Sequence, residues 1–318
     1  MVLRLCIIFA LLLLGCSNPY ERDNPTDPIF VYTVTFNASD ATSGTPPAAV
    51  SGSWGDVIPL PEQGGLAKTG YVFAGWNTGS SNTGTRYKIN YAIEGNATLY
   101  AMWVSCSDTG YFCDVRDGKL YATTTIGTQV WMKENLNYNA SDSKCYDNLE
   151  SNCDIYGRLY NWATAMSFDA SCNSSSCSSQ VQSKHKGVCP SGWHIPSDAN
   201  WNTLINYAGG QATAGKKLKA TSGWPNSYGE NGNGTDNYGF SALPSGFGGG
   251  CKSCIGHGSD GSFEIVGYRG YWWSATENNA RGYEYEAVCR TIDYYGSDRV
   301  SNTNEYKVNF LSVRCVKD

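Results

Sequence analysis

Charge is scarce in this chain. Asp, Glu, Lys and Arg make up only 16% of its 318 residues, the formal net charge is −5 and the isoelectric point lies near 5.3. Neutralising phosphates takes clustered Lys and Arg, and no such patch occurs, so nucleic acid is not an expected partner. Histidine is scarcer still, with three residues, and no Ser/His/Asp set with a spacing signal can be assembled around them. Long apolar runs are missing as well: Leu5–Leu14 is too short to span a bilayer and reads as the core of a signal peptide. What the chain does have is 36 Gly, 22 Tyr, 10 Trp and 13 Cys. Such a composition is loop-rich, β-leaning and aromatic, and its cysteines point to an oxidising compartment.

The start Met1-Val-Leu-Arg4 and the junction Leu13-Leu-Gly-Cys16 resemble a bacterial lipoprotein signal. The resemblance implies cleavage after residue 15, lipidation of Cys16 and membrane attachment, each buried methylene contributing about 0.8 kcal/mol. Ser17, in place of Asp, favours passage to the outer membrane. An ordinary secretory signal with an incidental cysteine is the alternative. Residues 16–30, broken by Pro19, Pro25 and Pro28, form an extended tether.

Residues 31–104 are expected to form a small β-rich module. Val31-Tyr-Thr-Val-Thr-Phe36 alternates as a strand does. Gly70-Tyr-Val-Phe-Ala-Gly-Trp76 and Ala97-Thr-Leu-Tyr-Ala-Met-Trp103 resemble the Listeria–Bacteroides repeat of bacterial surface proteins. Trp76 and Trp103 are read as core residues, and one copy does not make a repeat array. Residues 105–116 are taken as a linker.

Residues 117–318 have a different texture. Lys119–Ile126, Gly127-Thr128 and Gln129–Met132 read as a β-hairpin, and Tyr156–Ala165 as a short helix. Ser197 is placed to cap a helix with Asp198 in its first turn and Gly209-Gly210 at its end. Trp201, Leu204, Ile205 and Ala208 fall on its buried stripe. Strands are expected at Phe240–Leu243, Tyr271–Ala275, Tyr283–Cys289 and Tyr306–Val316. Short helices among many short strands predict an α+β domain.

Trp131–Asn137, Tyr156–Trp162, Gly187–Asp198, Gly239–Pro244, Trp272–Glu277 and Ser312–Cys315 together resemble the Fibrobacter succinogenes major paralogous domain. The resemblance implies a C-type-lectin-like fold similar to that of the formylglycine-generating enzymes, without a defined biochemical function. Those enzymes hold copper on a closely spaced cysteine pair near the C-terminus. Cys289 and Cys315 stand too far apart in sequence to match it.

With Cys6 in the signal and Cys16 lipidated, eleven cysteines remain. Spacing suggests the pairs Cys106/Cys113, Cys145/Cys153, Cys172/Cys177 and Cys251/Cys254. Cys189/Cys315 would staple the second domain end to end, worth about 4–5 kcal/mol in the chain-entropy model. Cys289 is then left over, although it can replace either partner of the staple. Cys251-Lys-Ser-Cys254-Ile-Gly-His257 also reads as three zinc ligands, but no fourth is near, and a small disulfide is preferred to a metal site. His194 is read as a satisfied scaffold residue and His185, between Lys184 and Lys186, as exposed.

The stretch Trp224–Asn237 is the candidate ligand loop. Glu230, Asn231, Asn233 and Asp236 are hard oxygen donors that suit Ca²⁺, and Trp224 and Tyr228 offer faces for a sugar. The competing reading is a turn-rich loop whose Asn and Asp side chains cap their own backbone. The expected protein is thus a lipid-anchored surface lipoprotein with a non-enzymatic module that binds a polysaccharide or a surface protein. An oxidase of the formylglycine-generating type, or a structural envelope protein, is the alternative.

Overall fold

A computed structural model describes residues 30–81, 83–226, 229, 231–250, 261–294 and 298–318. Two compact units divide the chain: Met1–Leu66 with Gly75–Met102, and Ala67–Ala74 with Trp103–Asp318.

The N-terminal strands are β1 (Tyr32–Asn37), β2 (Val50–Gly52), β3 (Val57–Pro59), β4 (Tyr71–Asn77), β5 (Arg86–Tyr87), β6 (Asn90–Ala92) and β7 (Ala97–Ser105). Five of these make one sheet in the order β2-β1-β7-β4-β5, and β3 pairs with β6. Period-2 alternation in β1 buries Val34 and Phe36 and leaves Thr35 outside. Trp76 is fully buried, packs edge-on to Phe36 and donates from its indole N–H to the Pro61 carbonyl at 2.8 Å. The glycine before it is required twice over: Gly75 has φ +111°, and a Cβ there would meet the Tyr87 carbonyl oxygen at 2.5 Å. Trp103, counted in the second unit, is also buried, against Phe73.

Part of the stretch expected as a linker is strand. β8 (Tyr111–Asp114) lies there, next to the Cys106–Cys113 disulfide, and pairs with β9 (Lys119–Ile126). β9 turns at Gly127-Thr128 into β10 (Gln129–Met132), in the register Gln129 opposite Ile126. The single helix expected over Tyr156–Ala165 is corrected to three pieces. α1 (Glu150–Tyr156) stops at Gly157, whose φ of +76° no helix accommodates. β11 (Leu159–Tyr160) follows, and Asn161 then caps α2 (Trp162–Met166) by accepting from the Thr164 amide. Beyond β12 (Trp193–His194), α3 (Asp198–Tyr207) opens on a capping box between Ser197 and Asn200. The stripe Trp201, Leu204, Ile205 and Ala208 is buried. α4 (Ala214–Leu218) precedes β13 (Phe247–Gly248), β14 (Phe263–Glu264) and β15 (Arg269–Glu277). β16 (Glu286–Asp293), β17 (Val300–Tyr306), β18 (Leu311–Ser312) and β19 (Val316–Lys317) end the chain.

Three strand expectations shift. Phe240–Leu243 makes only an isolated bridge, Ala242 to Lys219. The strand expected from Tyr283 starts at Glu286, because Tyr283 closes a turn onto the Ala280 carbonyl. Tyr306–Val316 is not continuous: β18 and β19 lie in different sheets.

The sheets are β12-β19-β10-β9-β8 and β11-β18-β15-β16-β17, with β13 and β14 as a separate pair. β15 is buried on both faces, which is why Tyr271-Trp-Trp-Ser-Ala275 reads as a continuous apolar run rather than an alternating one. Tyr271, Trp273 and Ala275 point into a first core with Trp162, Trp193 and Leu311, while Trp272 points into a second with Trp131, Trp201 and Phe240.

The α+β, C-type-lectin-like class is therefore corrected. Strand accounts for 34% and helix for 14%, with several separate sheets, and α3, the longest helix among the described residues, has ten residues. Capping signals mark helix starts clearly in a sequence. Two-residue strands such as β11, β12, β18 and β19, paired over long separations, look like loop, so the sequence overstates the helical share.

Candidate functional site

Cys16, Tyr228, Glu230, Cys251, Cys254 and His257 lie outside the described residues. Four expected cysteine pairs are bonded: Cys106–Cys113, Cys145–Cys153, Cys172–Cys177 and Cys189–Cys315, the last closing a separation of 126 residues. Cys289 is free and buried, and desolvation pushes its thiol well above the usual range, reinforced by Glu305. Glu150 lies beside Cys145 and Cys153, but those sulfurs are bonded to each other and Glu150 accepts from Arg158 at 2.8 Å, so the cluster is not a free ligand set.

At the start of the candidate ligand loop the tryptophan turns inward. Trp224 is 4% exposed and donates to the Ala242 carbonyl at 2.9 Å, so its face is core rather than platform. Asn233 accepts from the Trp224 amide, Asn231 from the Asn233 amide, and Asp236 from the amide and hydroxyl of Ser241. These oxygens shape the backbone, as the competing reading had it. His194 bonds Asp318 at 2.7 Å. His185, expected to be exposed, is instead buried: its Nε2 lies 2.8 Å from the Met166 carbonyl and its ring packs on Phe168. Flanking lysines say nothing about which way a side chain between them turns.

A buried polar hub joins five of the sequence motifs, and spacing gave no sign of it. The Oδ1 of Asn135 accepts from Nε and Nη2 of Arg314 at 2.9 and 2.7 Å and from the Trp272 indole at 2.7 Å. The Asn135 amide donates to the Tyr156 carbonyl and to Ser312 Oγ. Arg314 also donates to the carbonyls of Lys133 and Phe240 and lies over the Phe240 ring. No carboxylate bonds it, and desolvation lowers its pKa to about 9. A second device ties Lys307 to Glu277 at 2.8 Å, while Glu277 accepts from Ser176 Oγ and the Cys177 amide, clamping the Cys172–Cys177 loop to β15. In a third, Asp198 at the start of α3 binds the buried Arg290 of β16. All three position elements.

An opening lies on one face of β15, β16 and β17. Register puts Arg269 opposite Asp293, Tyr271 opposite Thr291 and Thr291 opposite Ser301, with Cys289 opposite Thr303. At the Trp273–Cys289 end this face is covered by the first core. Towards Arg269 and Asp293 it opens into a cleft of about 460 Å³, whose opposite wall is Phe247 and Glu264 of β13 and β14. That volume falls in the range of ligand sites, roughly 300–1,000 Å³. Thr303 and Asn304 are exposed along β17, the edge strand. Inside, Arg269 donates to the Tyr271 hydroxyl at 3.2 Å and stands 3.6 Å from Asp293 Oδ2, while Asp293 Oδ1 is buried without a hydrogen bond. Burial raises the Tyr271 phenol. The cleft thus presents hydroxyls, carboxylates and an amide on a rigid sheet. It is assembled from Phe247 and from residues 264–305, and its one sequence trace is the polar run Ser301–Asn304.

Fold and site define a disulfide-stapled, β-rich module with an open polar cleft. The chain belongs to the Fibrobacter succinogenes major domain family, whose model matches residues 124–317, and residues 32–102 match the Listeria-Bacteroides repeat domain. Together these two domains mark a protein of the surface or cell envelope. Among curated proteins the chain is similar to a "Putative Gly-rich membrane protein" of Evansella cellulosilytica, 35% identical over 90 residues, which is 26% of this chain. It spans only 10% of that relative's length. No solved structure matches the chain. No helix among the described residues is long and apolar enough to cross a membrane.

Proposed function

We propose that this protein is anchored in the cell envelope through a lipid on Cys16 and that its second unit is a non-catalytic binding module for a polysaccharide, held in the cleft over β15–β17. The cleft carries the reading. It lines a rigid sheet with the hydrogen-bonding groups that a polyol needs, while His185 and His194, the described histidines, are engaged elsewhere. The run Leu5–Leu14 before Gly15-Cys16 supports the anchor, and the likeness to a curated membrane protein supports the envelope setting.

The test is retention on immobilised cellulose, xylan and a glycan array, with and without calcium. Retention is expected, and it is expected to persist in chelator, because the described oxygens of the 224–237 loop are spent on their own backbone. Thr303→Trp, at an exposed position of the cleft, should abolish it while leaving the disulfides and circular dichroism unchanged. A protein retained on no polysaccharide would sink the reading in favour of a protein ligand or a structural role. Fatty-acid labelling that persists in Cys16→Ala would remove the anchor.

A further inference from the structure

We infer that the cleft selects a neutral, hydroxyl-bearing glycan and rejects one that carries carboxylates. This rests on the polysaccharide reading above and adds the ligand's charge class. Three carboxylates line the cleft, those of Glu264, Asp293 and Glu305, against one guanidinium, Arg269. An anionic sugar would need that guanidinium free, and it is not. Its Nη1 is spent on the Tyr271 hydroxyl and its Nη2 faces Asp293.

The pairing with Asp293 is loose, at 3.6 Å, and the other carboxylate oxygen has no donor, so the negative charge is only partly offset. Lys219 adds little from beyond the sheet. It is packed over the Trp224 ring, its charged form is disfavoured by burial, and its attraction is shared between Asp293 and Asp298. Glu305 is held in place at the far end of the cleft by the Tyr306 amide and the Asn309 side chain at 2.9 and 3.0 Å. Like-charge juxtaposition in such a setting opposes binding of a carboxylate-bearing chain.

Hydroxyl groups meet no such penalty. Thr291, Ser301 and Thr303 stand on neighbouring strands, about 4.8 Å apart across the sheet and about 7 Å apart along it. Each can donate or accept as a sugar hydroxyl requires, so the lining matches a neutral chain in chemistry as well as in charge.

The experiment compares a neutral xylo-oligosaccharide with an oligogalacturonate of matched length by titration calorimetry on the full chain, at low and high salt, for the wild type and for Glu264→Gln. The expected result is binding of the neutral chain with little salt dependence. The uronate should bind at least about tenfold more weakly, or about 1.4 kcal/mol, with the gap narrowing in salt and in Glu264→Gln. Glutamine keeps the size and hydrogen-bonding reach of the half-buried glutamate, so the variant changes charge without emptying the wall. A uronate that binds as tightly as the neutral chain, or a ratio that Glu264→Gln leaves unmoved, overturns the charge selection while leaving polysaccharide binding intact. If neither oligosaccharide binds, the polysaccharide reading itself fails, and the charge selection falls with it.

Discussion

Replacing Asn135 with Leu removes one oxygen and strands three donors. In the folded protein Asn135 Oδ1 takes two N–H groups of Arg314 and the indole N–H of Trp272, and all three residues are buried. Each buried donor left without a partner costs about 1–3 kcal/mol, and more when the group is charged. Arg314 keeps its carbonyl partners at Lys133 and Phe240, so the loss falls on Nε, Nη2 and the indole. The sum is about 3–9 kcal/mol, a large share of the roughly 5–15 kcal/mol that holds a typical domain together.

Arg314→Met is expected to be milder, since it removes the charge along with its need for partners. The pair Asn135→Leu with Arg314→Met should then lose less than the two single changes added, the signature of a shared network. Urea titration of the oxidised protein, followed by tryptophan fluorescence, reads all three. An Asn135→Leu protein within about 1 kcal/mol of wild type, or strict additivity of the pair, would refute the reasoning.

Arg314 also makes a pH prediction. Its folded pKa, about 9, lies below the ordinary value of 12.5, so above pH 9 the folded state binds fewer protons than the unfolded one, and this residue makes stability rise with pH. Arg314→Met should lose that rise above pH 9 and leave the slope between pH 6 and 8 unchanged, as denaturation midpoints will show. Cys189→Ala with Cys315→Ala opens a loop of 126 residues and should cost about 5 kcal/mol in the chain-entropy model; a shift in the urea midpoint worth less than about 1 kcal/mol would contradict it. Ser197→Ala removes the acceptor for the Asn200 amide and should cost about 1 kcal/mol by the same assay. Cys289, buried and held as a neutral thiol, should react with a thiol reagent at the rate of unfolding and not faster; prompt labelling of the native protein would show it to be accessible.

The sequence by itself determined what short-range chemistry determines. The Gly127-Thr128 turn, the Ser197 cap with its buried stripe, and the cysteine pairs five to eight residues apart are each specified by neighbours in the chain. Local conformation and local loop closure need no partner from elsewhere. Family membership was legible for a related reason, since the motifs around Asn135, Trp272 and Arg314 stand whole in the chain. That these motifs converge on one amide oxygen was decided only by the tertiary structure, because Asn135 and Arg314 are 179 residues apart and no spacing rule connects them.

The same holds for β11, β12, β18 and β19, two-residue strands that exist only through pairing with distant partners, and for Trp224, whose indole turned to the core instead of outward. The cleft is the clearest case. Arg269, Asp293, Ser301 and Glu264 carry no motif in common. They line one cleft because antiparallel register aligns β15, β16 and β17, β14 stands opposite them, and the first core covers only one end of that face. Where the core stops is a matter of packing volume, and volume is filled by residues drawn from the whole chain.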